Sequence, residues 1–301
     1  MPKRKESGSE VAEKKKRLEN DIFHQFLDAE IDEVKKDILK DIKSRLQSKK
    51  VELAGLGTCA VYRGLEDVEL PSSSKEPELT WHQKVEEHLS DLLEDSDDHD
   101  EIRSELLSII GTYRDFQCIT DDVNGYRSIY LAHIVAHLMK NKATIITNNK
   151  QLELAKAQGE VPDEMIESTR DQGFVRPTVL ILCPFKKDAY DVVNKLKSVI
   201  YGDEKGDVWS KQRFEEEFSG PEDIEFQTDI PEDHKELLRG NNDDTFRLGI
   251  ALSKKTLKLY EKFDKSDILL CSPVGLRMIL NGEEGSEAHL LSSLHMIIVD
   301  Q

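Results

Sequence analysis

No stretch of this 301-residue chain strings together the ~20 apolar residues that a membrane-crossing helix needs. The opening Met1-Pro2-Lys3-Arg4-Lys5 is charged and lacks the apolar stretch of a secretory signal. The four cysteines, Cys59, Cys118, Cys183 and Cys271, form no CxxC or CxxH pair, so the spacing gives no support for a zinc site and reduced structural thiols are expected. His133 and His137 stand at i, i+4, but a metalloprotease pattern needs Glu at position 134 and Ile134 is there; ordinary helix packing is the expectation. A G-x-S-x-G elbow around Ser272 fails at Leu270, which removes the hydrolase reading. The phosphate-gripping pattern GxxxxGK[ST] is missing as well. The one glycine-rich spot, Gly55-Leu56-Gly57-Thr58, has no lysine and no strand expected before it.

What the chain does have is charge, unevenly placed. Charged residues make up 34% against 38% hydrophobic, with a net charge of −18. Such a balance argues against coating nucleic acid by bulk electrostatics. Residues 1–17 nevertheless hold seven Lys/Arg against three Glu, or +4, leaving −22 for the rest. Within that arm, Lys14-Lys15-Lys16-Arg17 fits a nuclear import signal, and a solvated basic tail is the plainer alternative.

Four regions are expected. Residues 1–20 read as a disordered basic arm. Residues 21–50 read as an amphipathic helix, because Phe23, Leu27, Ile31, Val34, Ile38, Ile42 and Leu46 recur every three or four positions. Residues 51–100 read as a linker, rich in Gly, Pro and Ser up to position 80, followed by an acidic stretch. That stretch, Glu86 to Glu101, holds nine acids and no Lys or Arg; it is a solvated segment or a docking site for a basic partner. From 101 onward the rhythm is that of a domain. Helical periodicity runs through Ile102, Leu106, Leu107, Ile109 and Ile110, and a second helix follows Gly125. Short apolar runs then appear at Thr178–Cys183, Leu248–Leu252, Asp267–Cys271 and His295–Val299, separated by helix-length stretches such as Asp188–Ile200 and Lys254–Phe263. Uninterrupted apolar strands alternating with helices predict an α/β fold with a parallel sheet and flanking helices. In such a sheet, function is read at the loops beyond the carboxyl ends of the strands.

Those loops are Pro184-Phe185-Lys186-Lys187, Ser272-Pro273-Val274-Gly275-Leu276-Arg277 and Asp300-Gln301. A strand, then Ser-Pro-x-Gly-x-Arg opening a helix, then a strand ending in Asp, resembles the first RecA-like domain of DEAD-box RNA helicases. More closely, the chain resembles the digestive organ expansion factor family of nucleolar pseudo-helicases, also described as a small-nucleolar-RNA-associated processome component. The resemblance is carried by Glu105–Asp115, Arg176–Phe185, Phe246–Ile250, Ser266–Arg277, Leu291–Leu294 and Val299-Asp300-Gln301, in order, over roughly residues 100–301.

The resemblance implies a RecA-like pseudo-helicase domain over 101–301, incomplete at its end, with the family continuing into further sequence. It implies a nuclear and nucleolar ribosome-biogenesis factor, non-enzymatic, working in pre-rRNA processing with pre-ribosomal RNA, small nucleolar RNA-protein particles and processome proteins. An ATP-dependent DEAD-box-type helicase is the alternative. It would need a phosphate loop where Asp121-Asp122-Val123-Asn124-Gly125-Tyr126-Arg127-Ser128 stands, and two carboxylates there repel a triphosphate. It would also need Glu at 301. Gln301 has that size but accepts no proton at neutral pH, so Asp300-Gln301 reads as a degenerate catalytic motif. No cofactor, nucleotide, metal or membrane partner is expected. The candidate RNA contacts are Lys186, Lys187, Ser272, Gly275 and Arg277. The Ser272 loop suits a phosphate as a helix N-terminus with a nearby guanidinium, and it equally suits a plain helix cap with Pro273 in the first helical position.

Overall fold

The structure is a computed structural model describing residues 21–27, 47–63, 85, 88, 100–119, 123–159, 161–169, 173–202, 206–221, 231, 234–235, 238–253, 256–282 and 286–300. The chain divides into two compact units, residues 1–83 with 92–133, and residues 84–91 with 134–301.

In the first unit, α1 (Ile22–Leu27) buries Phe23, and Phe26 stacks on Tyr113 with ring centroids 4.2 Å apart. The predicted continuation of this helix lies outside the described residues over 28–46 and is corrected over 47–50, which are strand. The predicted linker is corrected over 51–63. With residues 47–50 that stretch forms an antiparallel hairpin of β1 (Gln47–Leu53) and β2 (Gly57–Arg63), paired from Gln47↔Arg63 to Leu53↔Gly57. A strand therefore does precede the glycine-rich spot, which is a hairpin turn with Gly57 at φ 68°, where glycine is favoured. Its backbone N–H groups of Gly55 and Leu56 donate to Glu105 Oε2 at 3.1 and 3.0 Å, so a carboxylate of α2 (Asp100–Gly111) already occupies them. The long helix α3 (Val123–Gln158) begins in this unit.

The second unit is built on a six-stranded sheet. After α4 (Asp163–Ser168) come β3 (Val179–Leu182), α5 (Lys186–Tyr201), β4 (Asp207–Trp209) and α6 (Lys211–Phe218). Then follow β5 (Arg247–Leu252), β6 (Thr256–Leu259), β7 (Ile268–Cys271), α7 (Pro273–Leu280) and β8 (Met296–Val299). The strand order is β4-β6-β5-β7-β3-β8. β3 runs parallel to β7 and β8, and β4 parallel to β6.

The expectation of an all-parallel sheet is corrected at β5, which is antiparallel to both β6 and β7. The same segment corrects Lys254–Phe263, read from sequence as helix-length. It holds β6 and a short 3-10 turn at Phe263–Lys265. The cause is the length of the connection. Ser253 N–H donates to Thr256 O at 2.9 Å, closing a tight hairpin, and parallel neighbours need a crossover of a dozen or more residues. The apolar run could not show direction, because an antiparallel strand covered on both faces reads the same way.

Burial of whole strands holds this sheet together. All four residues of β7 are buried, and Leu180, Leu269, Cys271, Ile279 and Leu290 form one cluster with Leu182, Phe263 and Leu276 packed against it. Each fully buried aliphatic side chain there contributes roughly 1.5–3 kcal/mol. Phe214 and Phe218 of α6 are stacked at 4.7 Å, with Tyr190 of α5 stacked on Phe214. On β5, a side chain at Gly249 would collide with the carbonyl of Glu261, so glycine lets that segment cross the sheet.

Candidate functional site

The chain direction of the strands brings four segments to one edge of the sheet. β3 ends into Pro184–Lys187, β7 into Ser272–Arg277 and β8 into Asp300, and β5, running the other way, starts there. Backbone hydrogen bonds fasten them: Cys183 N–H to Cys271 O at 3.1 Å, Asp300 N–H to Leu182 O at 2.9 Å, and Ser272 N–H to Phe246 O at 3.2 Å. The register partner of Cys271 on β5 is Arg247.

Each predicted contact can now be placed. Lys186 is largely covered, its side chain 12% exposed, with Nζ 2.8 Å from Asp243 Oδ2, 4.0 Å from Glu217 Oε1 and 5.6 Å from the centre of the Phe218 ring. The Lys186 hydrogen bond, then the Thr245 N–H, hold the Asp243 carboxyl below its usual range. The start of α5 is closed in the same way: Lys186 N–H donates to Asp243 O at 3.0 Å and Lys187 N–H to Asn241 O at 2.9 Å. The Asn241–Asp243 loop therefore takes the amides that a phosphate would need. Lys187 lies with Nζ 5.7 Å from the centre of the Phe185 ring.

Ser272 is fully buried and caps α7, its Oγ accepting from Gly275 N–H at 2.9 Å and donating to the carbonyl of Asp244. Gly275 is buried too, and a side chain there would collide with Phe246 O. These two residues shape the loop. Arg277 is exposed and has no ion pair among the described residues, and it shares α7 with Val274 and Met278, each 41% exposed. Asp300 is 6% exposed; Gln301 and Lys14–Arg17 lie outside the described residues.

Sequence reading missed Arg247. It is exposed, stands with its guanidinium 5.6 Å from the centre of the Phe263 ring, and has no ion pair among the described residues. Phe246-Arg247 directly precedes the β5 apolar run, and the antiparallel direction of β5, which that run does not show, places Arg247 at this end.

The stretch before α3 bears on nucleotide binding. Residues 114–119 are irregular chain rather than a strand, and Arg127 and Ser128 are each only 3% exposed. A phosphate loop needs a strand leading into a glycine turn that leaves its amides bare. Among the described residues no cluster of three or more His, Cys, Asp or Glu could hold a metal ion. What the edge offers is cations, Arg277 and Arg247, beside loops sealed by their own hydrogen bonds. That suits electrostatic contact with an anion.

The sequence profile of the family described as UTP25, NTP hydrolase-like domain, matches residues 113–301. A Xenopus tropicalis relative, the U3 small nucleolar RNA-associated protein 25 homolog, is 39% identical over 208 residues, covering 66% of this chain and 26% of its own length. The human homolog of the same name is 36% identical over 246 residues, covering 78% of this chain and 32% of its own length. In Sclerotinia sclerotiorum, U3 small nucleolar RNA-associated protein 25 is 36% identical over 184 residues, 60% of this chain and 24% of that protein. The chain thus spans about a quarter to a third of the length of the relatives it matches. No solved structure matches it.

Proposed function

The chain belongs to the UTP25 NTP hydrolase-like family, and from that premise we propose a non-enzymatic nucleolar factor of the small-subunit processome, acting in pre-rRNA processing by binding RNA and protein. The support is the name of the relatives, U3 small nucleolar RNA-associated protein 25, together with the strand-end motifs resembling a RecA-like pseudo-helicase. Its partners are then small nucleolar RNA-protein particles, pre-ribosomal RNA and processome proteins, and its seat is the nucleolus.

The non-enzymatic half rests on one observation. The run Asp121–Ser128 carries a single glycine and two carboxylates where a phosphate loop would need several bare amides and a lysine. The helicase alternative would also require Glu where Gln301 stands. RNA contact in this reading falls on Arg277, with Lys187 in the Pro184–Lys187 segment after β3. Ser272 and Gly275 act by holding the loop in shape, and phosphate contacts of this kind position RNA without reading its bases.

Thermal unfolding with and without ATP and Mg²⁺ tests it, because a ligand raises the melting temperature only by occupying the native state. An unchanged melting temperature is the expected result; a saturable rise at sub-millimolar ATP overturns the non-enzymatic reading.

A further inference from the structure

Residues 254–265 depart from the acidic character of the chain. They hold Lys254, Lys255, Lys258, Lys262 and Lys265 against Glu261 and Asp264, five cations to two anions, with Tyr260 and Phe263 among them, in a protein of net charge −18. The fold lays the described part of this segment, β6 and the turn after it, between the edge strand β4 and β5.

Two cations, Lys258 of β6 and Arg247 of β5, sit on aromatic rings and share one sheet face. Trp209 of β4 and Lys258 of β6 are register partners, with Lys258 Nζ 4.4 Å from the indole centre. Trp209 is 53% exposed, and its Nε1–H donates to Asp207 Oδ2 at 3.0 Å, which fixes the ring by its edge while Lys258 lies over it. Lys258 pairs in turn with Ala251 of β5, and Arg247 lies on the same face as Ala251, four residues along, a span of ~13 Å. Arg247 rests on Phe263 as described above. Lys258, Lys262, Lys265 and Arg247 have no ion pair among the described residues.

The geometry points to a binding face for single-stranded RNA on the β4–β6–β5 edge: Trp209 stacks a base, and Lys258, Lys262 and Arg247 take neighbouring phosphates. An exposed indole with unpaired cations around it is the combination that holds single strands, since every base has a π-face and every phosphate a charge. RNA is favoured over a protein partner by that surplus of unpaired cations, because protein contacts are built around apolar cores depleted of lysine. The face is separate from the Arg277 loop. It predicts little sequence preference and a steep dependence on salt.

The test is fluorescence anisotropy of the full 301-residue chain with a labelled single-stranded polyuridylate oligonucleotide across a salt series. Trp209→Ala should weaken binding roughly tenfold, and Trp209→Phe, which keeps a ring, should restore most of it. The double variant Lys258→Gln, Lys262→Gln should lower the salt slope by about two phosphates' worth. Lys262 is exposed and Lys258 half-exposed, so this variant decides the matter even if Trp209→Ala unfolds the edge strand. Arg277→Ala, run in parallel, separates this face from the proposed loop contact. Four results overturn the inference: no binding of the oligonucleotide by the wild-type chain, loss only with Arg277→Ala, unchanged affinity and slope in the lysine double variant, or patch substitutions that release a bound protein and leave RNA binding untouched.

Discussion

Lys186 Nζ and Asp243 Oδ2 stand 2.8 Å apart, and the same two residues are joined by a backbone bond from Lys186 N–H to Asp243 O. One loop thus neutralises the lysine and caps the helix it opens. The sequence offered Lys186 as a candidate RNA contact, and the pairing gives it a fastening role in the fold. Lys186→Ala should therefore lower stability by about 1 kcal/mol, discounted from the value of a charged hydrogen bond because Asp243 is 45% exposed. RNA affinity should stay where it is. The sign with pH follows: the Asp243 carboxyl is held below its usual range, so its contribution is full above pH ~4 and is lost as acid protonates it. Urea unfolding of the variant at neutral pH and near pH 3 measures both. A variant as stable as wild type at neutral pH with weaker RNA binding would reinstate Lys186 as a contact.

The difference between Lys186 and Arg277 shows what a sequence carries and what it does not. Strand ends were legible because buried strands are short apolar runs, and β3, β7 and β8 fall within the predicted segments. The Ser272 cap was legible because its chemistry is local, from Ser272 Oγ to an amide three residues on. Asp243 lies 57 residues beyond Lys186, and no local pattern marks such a partner. The direction of β5 was illegible for a related reason. It hangs on the short connection closed by the Ser253 N–H to Thr256 O bond, and the stretch that follows, Lys254–Phe263, resembled a helix because Lys and Leu favour helices when nothing opposes them. Arg247 was overlooked through that same error, since a parallel β5 would have placed it at the opposite end of the sheet.

The basic arm is expected to direct nuclear entry. Lys14, Lys15, Lys16 and Arg17 form its densest cluster, and the import reading requires clustered positive charge and no particular fold. Replacing all four by Ala should move a fluorescent fusion of the chain toward the cytoplasm. Unaltered nuclear accumulation would assign import to another segment or to a partner.

His137 and His295 form a second long-range pair, with Nε2 and Nδ1 3.0 Å apart and the rings set edge to face. His137 is 1% exposed, and burial pushes the His295 imidazole below its ordinary value. A base whose folded value is lowered binds its proton more readily when unfolded. Stability is therefore full above the unfolded value and falls as pH drops through ~6.5. His295→Gln keeps a polar side chain without that titration. The variant should lose less stability than wild type between neutral pH and ~5.5, a difference visible in urea midpoints. Parallel pH profiles would mean that His295 contributes nothing to the linkage.

Asp267 is the residue on which the second unit should depend most. Its carboxylate, 4% exposed, accepts from Lys142 Nζ at 2.6 Å, Arg176 Nε at 2.9 Å and the Leu252 amide at 2.7 Å. It joins α3, the segment entering β3, and the β5–β6 turn at the foot of β7. Lys142 also reaches the carbonyl of Leu252, so ammonium and carboxylate together satisfy the end of β5. Burial pushes the Lys142 ammonium down and Asp267 draws it back up, while the hydrogen bond to Asp267 raises Arg176. The carboxylate thus compensates for covering the lysine. Asp267→Asn keeps the volume and one acceptor but removes the charge, stranding Lys142; breaking a buried pair by one partner costs roughly 3–5 kcal/mol. Arg176 is 47% exposed and stays solvated, which puts the expectation at about 3 kcal/mol, the low end of that range. Adding Lys142→Met should recover part of the loss, because an apolar side chain needs no counter-ion there. Urea midpoints for the two single variants and the double variant give the coupling directly. Strict additivity would show that Lys142 and Asp267 do not act as a pair, and the foot of β7 would then be held by Arg176 and the Leu252 amide alone.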